Sequence, residues 1–105
     1  MCDFRDANLE SANLRDTDFA WADLAGVNLG NAYMFKANLY DTDLTGANLE
    51  DADLTEAYMI EADLTGADLE GVKLTGARYD GNTEWPEGFD PDQAGAIYLE
   101  TETAK

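Results

Sequence analysis

The sequence predicts an all-β solenoid of stacked, parallel-paired coils, and two regularities predict it. From Phe4 a large apolar residue returns at every fifth position, as Leu9, Leu14, Phe19, Leu24, Leu29, Met34, Leu39, Leu44, Leu49, Leu54, Met59, Leu64, Leu69, Leu74 and Tyr79. Two positions before each stands a small residue, usually Ala, with Cys2, Thr17, Val27, Thr42 and Val72 as the exceptions. The register holds over residues 2–81, which is eighty positions or sixteen units of five.

A period of five fits neither a helix nor a plain strand, so each unit combines a short extended piece with a turn. In an extended triplet the small and large residues share one face, and the residue between them, mostly Asn or Asp, points the other way. The next two residues turn the corner. Gly26, Gly46, Gly66, Gly71, Gly76 and Gly81 stand at the second corner position, where a residue without a side chain turns most freely. Small and large residues therefore fill the interior, and Asn and Asp cover the outside.

These units, which spell "ANLxx" or "ADLxx" almost without pause, closely resemble the A(D/N)Lxx pattern of the pentapeptide-repeat family. The resemblance covers about three quarters of the chain and implies a right-handed quadrilateral parallel β-helix with twenty residues per coil. Spacing agrees with that period: twenty lines up Asp3, Asp23, Asp43 and Asp63 on one side and Asn8, Asn28, Asn48 and Asp68 on the next, whereas fifteen mixes Asp18, Tyr33, Asn48 and Arg78. About four coils at roughly 4.8 Å each give a rod of about 19 Å.

Residues 2–81 are thus expected to form the β-helix and residues 82–105 a capping tail. The stretch "YDGNTEWPEGFDPDQAGA" resembles an ending found in photosynthetic-bacterial members of the family. Trp85, Pro86, Phe89, Ile97, Tyr98 and Leu99 supply apolar groups to cover the open end. Asp90, Pro91, Asp92 and Gln93 read as the start of a short helix that Gly95 ends. The cap is accordingly expected to be helical or irregular.

Composition narrows the function. The formal charge of −17, from 23 acidic and 6 basic residues, argues against direct nucleic-acid binding, which is made by Lys and Arg. With no histidine and one cysteine, Cys2, His/Cys metal centres, His-based catalysis and internal disulfides are excluded. An interior of Leu, Phe, Met and Ala leaves no substrate pocket, so the chain is expected not to be an enzyme and to need no cofactor or metal. No apolar run is long enough to span a bilayer, and no basic-then-apolar leader is present, so a cytoplasmic location without membrane contact is expected.

Two sets of outward residues are candidate sites. Asp3, Asp23, Asp43 and Asp63 form an acidic recognition strip, a cation site or a set of side-chain caps on nearby backbone groups, although carboxylates in a straight row do not converge on one ion. Neighbouring rungs of that ladder repel by roughly 0.9 kcal/mol at the dielectric of water. The second set arises where "AYMFK" and "AYMIE" interrupt the Asn/Asp pattern. Trp21, Tyr33, Phe35, Tyr40, Tyr58 and Ile60 then fall at outward or corner positions and form an aromatic patch on a polar rod. Three fates are open to this patch: the tail residues Ile97 to Leu99 fold back over it, a partner or second copy binds it, or its side chains pack on one another in solvent.

A non-catalytic scaffold or protein-interaction module with an unspecified protein partner is the leading expectation. The resemblance also implies an alternative, a DNA-mimicking regulator of a topoisomerase, because the family includes gyrase-binding members that resemble DNA in size, shape and charge. A four-coil rod imitates only some five or six base pairs at about 3.4 Å per step, and no loop interrupts the repeats as it does in several gyrase-active members. The first coil, which brings Phe4, Leu9 and Leu14 to an uncapped end, is a candidate face for a homodimer.

Overall fold

A computed structural model of the chain describes residues 3–100. The expected start of the first repeat at Cys2 lies outside the described residues. Each side of the solenoid is a short extended segment that pairs in parallel with its counterpart one coil away. The first side runs Asp3, Asp23, Asp43, Asp63; the second Asn8, Asn28, Asn48, Asp68; the third Asn13, Tyr33, Asp53, Lys73; the fourth Asp18, Asn38, Tyr58, Arg78. Twenty residues per coil and four sides follow from these pairs alone.

The pentapeptide makes one coil-to-coil ladder and one turn. Leu24 N donates to Asp43 O at 2.7 Å, and Asp43 N donates to Ala22 O at 3.1 Å, so each outward residue is tied through both its backbone groups to the coil before it, while the residues flanking it bond the coil after. At the corner, Ala22 N donates to Phe19 O at 2.8 Å, closing a turn over Ala20 and Trp21. The second corner residue takes a positive φ throughout, from Asp6 at 59° to Gly76 at 73°. That is the third position of a type II turn, which explains the glycines. Lys36, Glu56, Glu61 and Trp21 hold the same conformation with full side chains.

The interior is one apolar column. Leu24, Leu29, Met34, Leu39, Leu44, Leu49, Leu54, Met59 and Leu64 are fully buried, with the small residues Ala32, Ala37, Ala52 and Ala57 between them. In the first coil Phe4, Ala7, Leu9 and Leu14 are only partly buried, and Phe4 meets Phe19 edge-on with centroids 5.9 Å apart. Thr42 stands where most units have Ala, and its buried Oγ1 donates to Phe19 O at 2.8 Å. Thr42→Val should keep the volume and remove the donor, lowering stability by about 0.5–1.5 kcal/mol in denaturant unfolding. A larger loss would mean that the hydroxyl fixes the corner itself.

The register slips by one residue after the fourth coil. Asp63 pairs with Glu84 rather than residue 83, and the extra residue is absorbed in a tight turn at Asp80–Thr83. Thr83 Oγ1 donates to Met59 O at 2.9 Å and accepts from Asp80 N at 3.0 Å, while Asp80 Oδ1 accepts from Glu61 N at 3.2 Å. Asp80 and Thr83 are both buried, so the turn is fastened to the coil above it.

The tail becomes a partial fifth coil rather than a helix. Strand β1 (Arg78–Tyr79) pairs in parallel with β2 (Ile97–Tyr98), and Ile97 N donates to Ala77 O at 2.7 Å. Asp90 does cap, accepting from Asp92 N at 3.1 Å and Gln93 N at 3.3 Å, but the helix expected after it stops at a single turn. The cause is tertiary. Gly95, at φ +93°, must present its carbonyl to Gly76 N at 3.0 Å, and a Cβ there would lie 3.4 Å from Thr75 Cα. One isolated helical turn is too weak to resist that pairing. Tyr79, Trp85 and Phe89 close the end, Tyr79 meeting Trp85 edge-on at 5.4 Å and Trp85 stacking on Phe89 at 5.3 Å.

Candidate protein-interaction surface

The outward Asn and Asp residues have a structural job. In every unit that carries one, its Oδ1 is placed to accept from the backbone N–H two residues on, at the first corner position. Asp3 accepts from Arg5 N at 3.1 Å, Asp23 from Ala25 N at 3.2 Å, Asp43 from Thr45 N at 3.0 Å and Asp63 from Thr65 N at 3.0 Å. Asn28, Asn38 and Asn48 do the same for Gly30, Tyr40 and Glu50. A short side chain with an oxygen two bonds from Cβ is what this turn needs, which explains why Asn and Asp alternate freely.

The acidic strip is therefore a row of caps. The hydroxyls of Thr45 and Thr65 also donate to Asp43 and Asp63, at 2.7 and 2.6 Å. Arg5 bridges the upper rungs, 2.8 Å from Asp3 and 3.5 Å from Asp23. Its side-chain hydrogen bond holds the exposed Asp3 carboxyl down at about 2. Thr55 likewise lowers the pKa of Asp53. Among the described residues no group of three or more His, Cys, Asp or Glu is arranged to hold a metal ion. Capping does not remove charge, so unfolding midpoints should rise as added salt screens the ladder over a Debye length of about 10 Å at 0.1 M. A flat response from low to moderate salt would show that the carboxylates do not repel across the rungs.

Tyr33 and Tyr58 take the capping position without a capping group, so the corners at Phe35 and Ile60 lose that side-chain acceptor and an aromatic ring is displayed instead. The structure brings together three of the six patch residues. Trp21 meets Tyr40 edge-on with centroids 5.4 Å apart, and Tyr40 lies 6.3 Å from Tyr58 at a tilt of 31°. Trp21 is 58 % and Tyr58 37 % exposed, whereas Tyr40 is half-buried between them.

The other three do not join that exposed cluster. Ile60, expected outward, is buried at 3 % exposure. Its corner column is Ala20, Tyr40, Ile60, Asp80, so it is held between Tyr40 and the inserted turn at Asp80–Thr83, which the fivefold pattern does not reveal. Tyr33 is exposed on the third side, beside Ser11, Asn13 and Arg15 at the wall of a shallow depression. Phe35, at the following corner, is covered by Lys36, whose Nζ sits 5.3 Å from the ring centroid. The tail does not fold back over any of them. Ile97 and Tyr98 extend the fourth side at the end of the rod and are themselves half exposed. Unpaired backbone groups of the fourth coil draw the tail there.

Negative charge gathers around the three aromatic residues. The corner column that begins with Trp21 continues as Asp41 and Glu61 and borders the first side, with Asp23, Asp43 and Asp63. Glu61, then burial, Asp41, Tyr58 and Asp80 raise the pKa of the Tyr40 hydroxyl. Of the described bases, Arg15, Lys36 and Lys73 belong to the third side and its corner, Arg5 is paired with Asp3 and Asp23, and Arg78, next below Tyr58 on the fourth side, has its Nε buried.

The family model for pentapeptide repeats matches residues 2–39 and 37–76. The chain belongs to the pentapeptide-repeat family. The solenoid is accordingly the right-handed quadrilateral β-helix of pentapeptide-repeat proteins. A pentapeptide repeat protein from Nostoc Pcc 7120 is 39% identical over 92% of this chain and 84% of its own, with a TM-score of 0.69. One from the cyanobacterium Cyanothece 51142 is 35% identical over 79% of this chain, with a TM-score of 0.78. A third, from the Arabidopsis thaliana thylakoid lumen, is 31% identical over 90% of this chain, also with a TM-score of 0.78. The matches span 56% and 59% of those last two chains, so this pentapeptide-repeat chain covers little more than half their length. No curated protein sequence matches it.

Proposed function

We propose that this pentapeptide-repeat protein is a non-catalytic interaction module, and that the surface formed by Trp21, Tyr40 and Tyr58 is where its protein partner docks. The observation that carries this reading is the cost of Trp21. Its backbone lies at φ 63°, a conformation that disfavours a bulky side chain by about 1–2 kcal/mol, and glycine fills the equivalent corner at 26, 46, 66, 71 and 76. The edge-on contact with Tyr40 returns only about 0.5–1.5 kcal/mol. The indole thus adds little to folding while leaving 58 % of its surface to solvent. Aromatic residues of this kind are enriched at interface centres.

Trp21→Gly should therefore change the unfolding free energy by less than about 1 kcal/mol, because relief of the corner offsets the lost ring contact. The same variant should lose partners that the wild type retains in a pull-down from the native host, whereas Tyr33→Ser, on the third side, should keep them. Identical retention by all three proteins would remove the surface from consideration.

The charge favours a second reading, a DNA-mimicking regulator of a topoisomerase such as gyrase. The first and second sides carry Asp3, Asp23, Asp43, Asp63 and Asp68 with Glu10, Glu50 and Glu70 at the corner beyond, and only Arg5 among bases. Inhibition of gyrase supercoiling at micromolar protein supports it, and activity lost on Glu50→Gln/Glu70→Gln rather than on Trp21→Gly ties it to those sides.

A further inference from the structure

The structure points to the chemistry of the occupant: we infer that the Trp21–Tyr40–Tyr58 surface takes an arginine-bearing peptide segment, with the aromatic faces stacking a guanidinium and the Asp41 and Glu61 carboxylates pairing its N–H groups. This rests on the reading of that surface as a docking site and goes further by naming what docks. Charge complementarity carries it. Trp21, Asp41 and Glu61 succeed one another in a single corner column, so two carboxylates stand at steps of about one coil below an exposed indole. Tyr40 flanks the column from the neighbouring corner position and Tyr58 from the fourth side, and the first side beyond it adds Asp23, Asp43 and Asp63.

Among the described residues no base forms an ion pair with those carboxylates. Arg5 is held by Asp3 and Asp23, and Arg78, next below Tyr58 on the fourth side, has its Nε buried. A neutral or acidic partner would desolvate Asp41 and Glu61 with no opposite charge to offset the loss. A cation removes that penalty. Arginine suits the site better than lysine because its planar fork stacks on aromatic faces and pairs carboxylates with two parallel bonds. The chain makes the simpler form of this contact itself, Lys36 Nζ lying 5.3 Å over Phe35. The raised pKa of the Tyr40 hydroxyl reports the same local negative field.

The test uses the full chain, with 15N labelling to follow the two indole N–H signals, at 0.15 M salt. The probe is the peptide acetyl-(Arg-Gly)4-amide, compared with its Lys-Gly counterpart and with a neutral Tyr-Gly peptide of the same length. The expected result is a saturable shift of the Trp21 indole signal with the Arg-Gly peptide, the buried Trp85 indole staying in place. Trp21→Gly and Asp41→Asn/Glu61→Gln should each weaken binding about tenfold. Glu50→Gln/Glu70→Gln, the same change of charge at the diagonally opposite corner, should weaken it less than twofold. Equal loss with both charge pairs would reduce the effect to the general attraction of an acidic rod and overturn the inference. A Trp21 shift with the Tyr-Gly peptide but not with Arg-Gly would overturn it while leaving the docking surface standing. No shift with any of the three peptides would count against both.

Discussion

Leu49→Ala is expected to lower the unfolding free energy by about 2–5 kcal/mol, measured by denaturant unfolding followed by circular dichroism. Leu49 has no solvent exposure, and the stacking register places it between Leu29 and Leu69 in the interior column. A solenoid this narrow has a single large apolar side chain per side in each coil, and the backbone ladders on all four sides resist collapse into the void. Small domains have about 5–15 kcal/mol in total, so one substitution takes a large share. Leu9→Ala provides the internal control. Leu9 is partly exposed in the first coil, so the same deletion there removes less buried area and should cost clearly less. Equal losses at the two positions would contradict the burial gradient described above.

Alkaline pH is expected to unfasten the C-terminal end. Burial, followed by the hydrogen bond to Asp92 and the charges of Asp92 and Asp90, pushes the Tyr79 hydroxyl up to about 12 from an ordinary 10.0. Its Oη donates to Asp92 Oδ1 at 2.5 Å, a contact that only the neutral phenol can make. Folding therefore favours the protonated form. The associated stability is fully present below pH 10 and is lost as the pH rises through about 12, with a total on the order of 3 kcal/mol at about 1.4 kcal/mol per unit. Tyr79→Phe should lower stability at neutral pH by about 1.5–3 kcal/mol, since it strips a hydrogen bond from a carboxylate, and should flatten the decline between pH 10 and 12. Some slope should remain from Tyr40, whose raised pKa acts with the same sign. A wild-type decline that survives Tyr79→Phe in full would place the alkaline transition elsewhere.

Most of the architecture was legible because the repeat encodes three physical requirements separately. The fifth-position Leu, Phe and Met specify the interior, Ala and its small replacements set the clearance between coils, and Asn or Asp caps each corner. What escaped the pattern lies where tertiary contacts outvote it. Ile60 occupies a position that is outward or half-open in other coils, but a turn with one extra residue at Asp80–Thr83 closes over it. The Asp90-Pro91 cap signal is real, yet pairing of β2 with β1 leaves its helix no room to continue. Corner conformation was visible only through the glycines. That Trp21, Lys36 and Glu61 share their positive φ cannot be seen in residue types that avoid it elsewhere. The aromatic patch was legible as a set of outward residues but not as a connected surface, because Tyr33 and Phe35 belong to a different side from Tyr40 and Tyr58.

The twenty-residue register also quantises what insertions and deletions do to this molecule. Adding or removing twenty residues lengthens or shortens the rod by one coil and leaves every side facing as before. Adding or removing five keeps each pentapeptide intact, so the interior still fills and the corners still cap, but everything downstream rotates by a quarter turn. A single unit lost between Tyr40 and Tyr58 would carry Tyr58 onto the third side and leave Tyr40 without it. Stability and surface thus answer to different moduli, five for the fold and twenty for the face. Unequal exchange between near-identical units can change what the rod displays while leaving its capacity to fold intact.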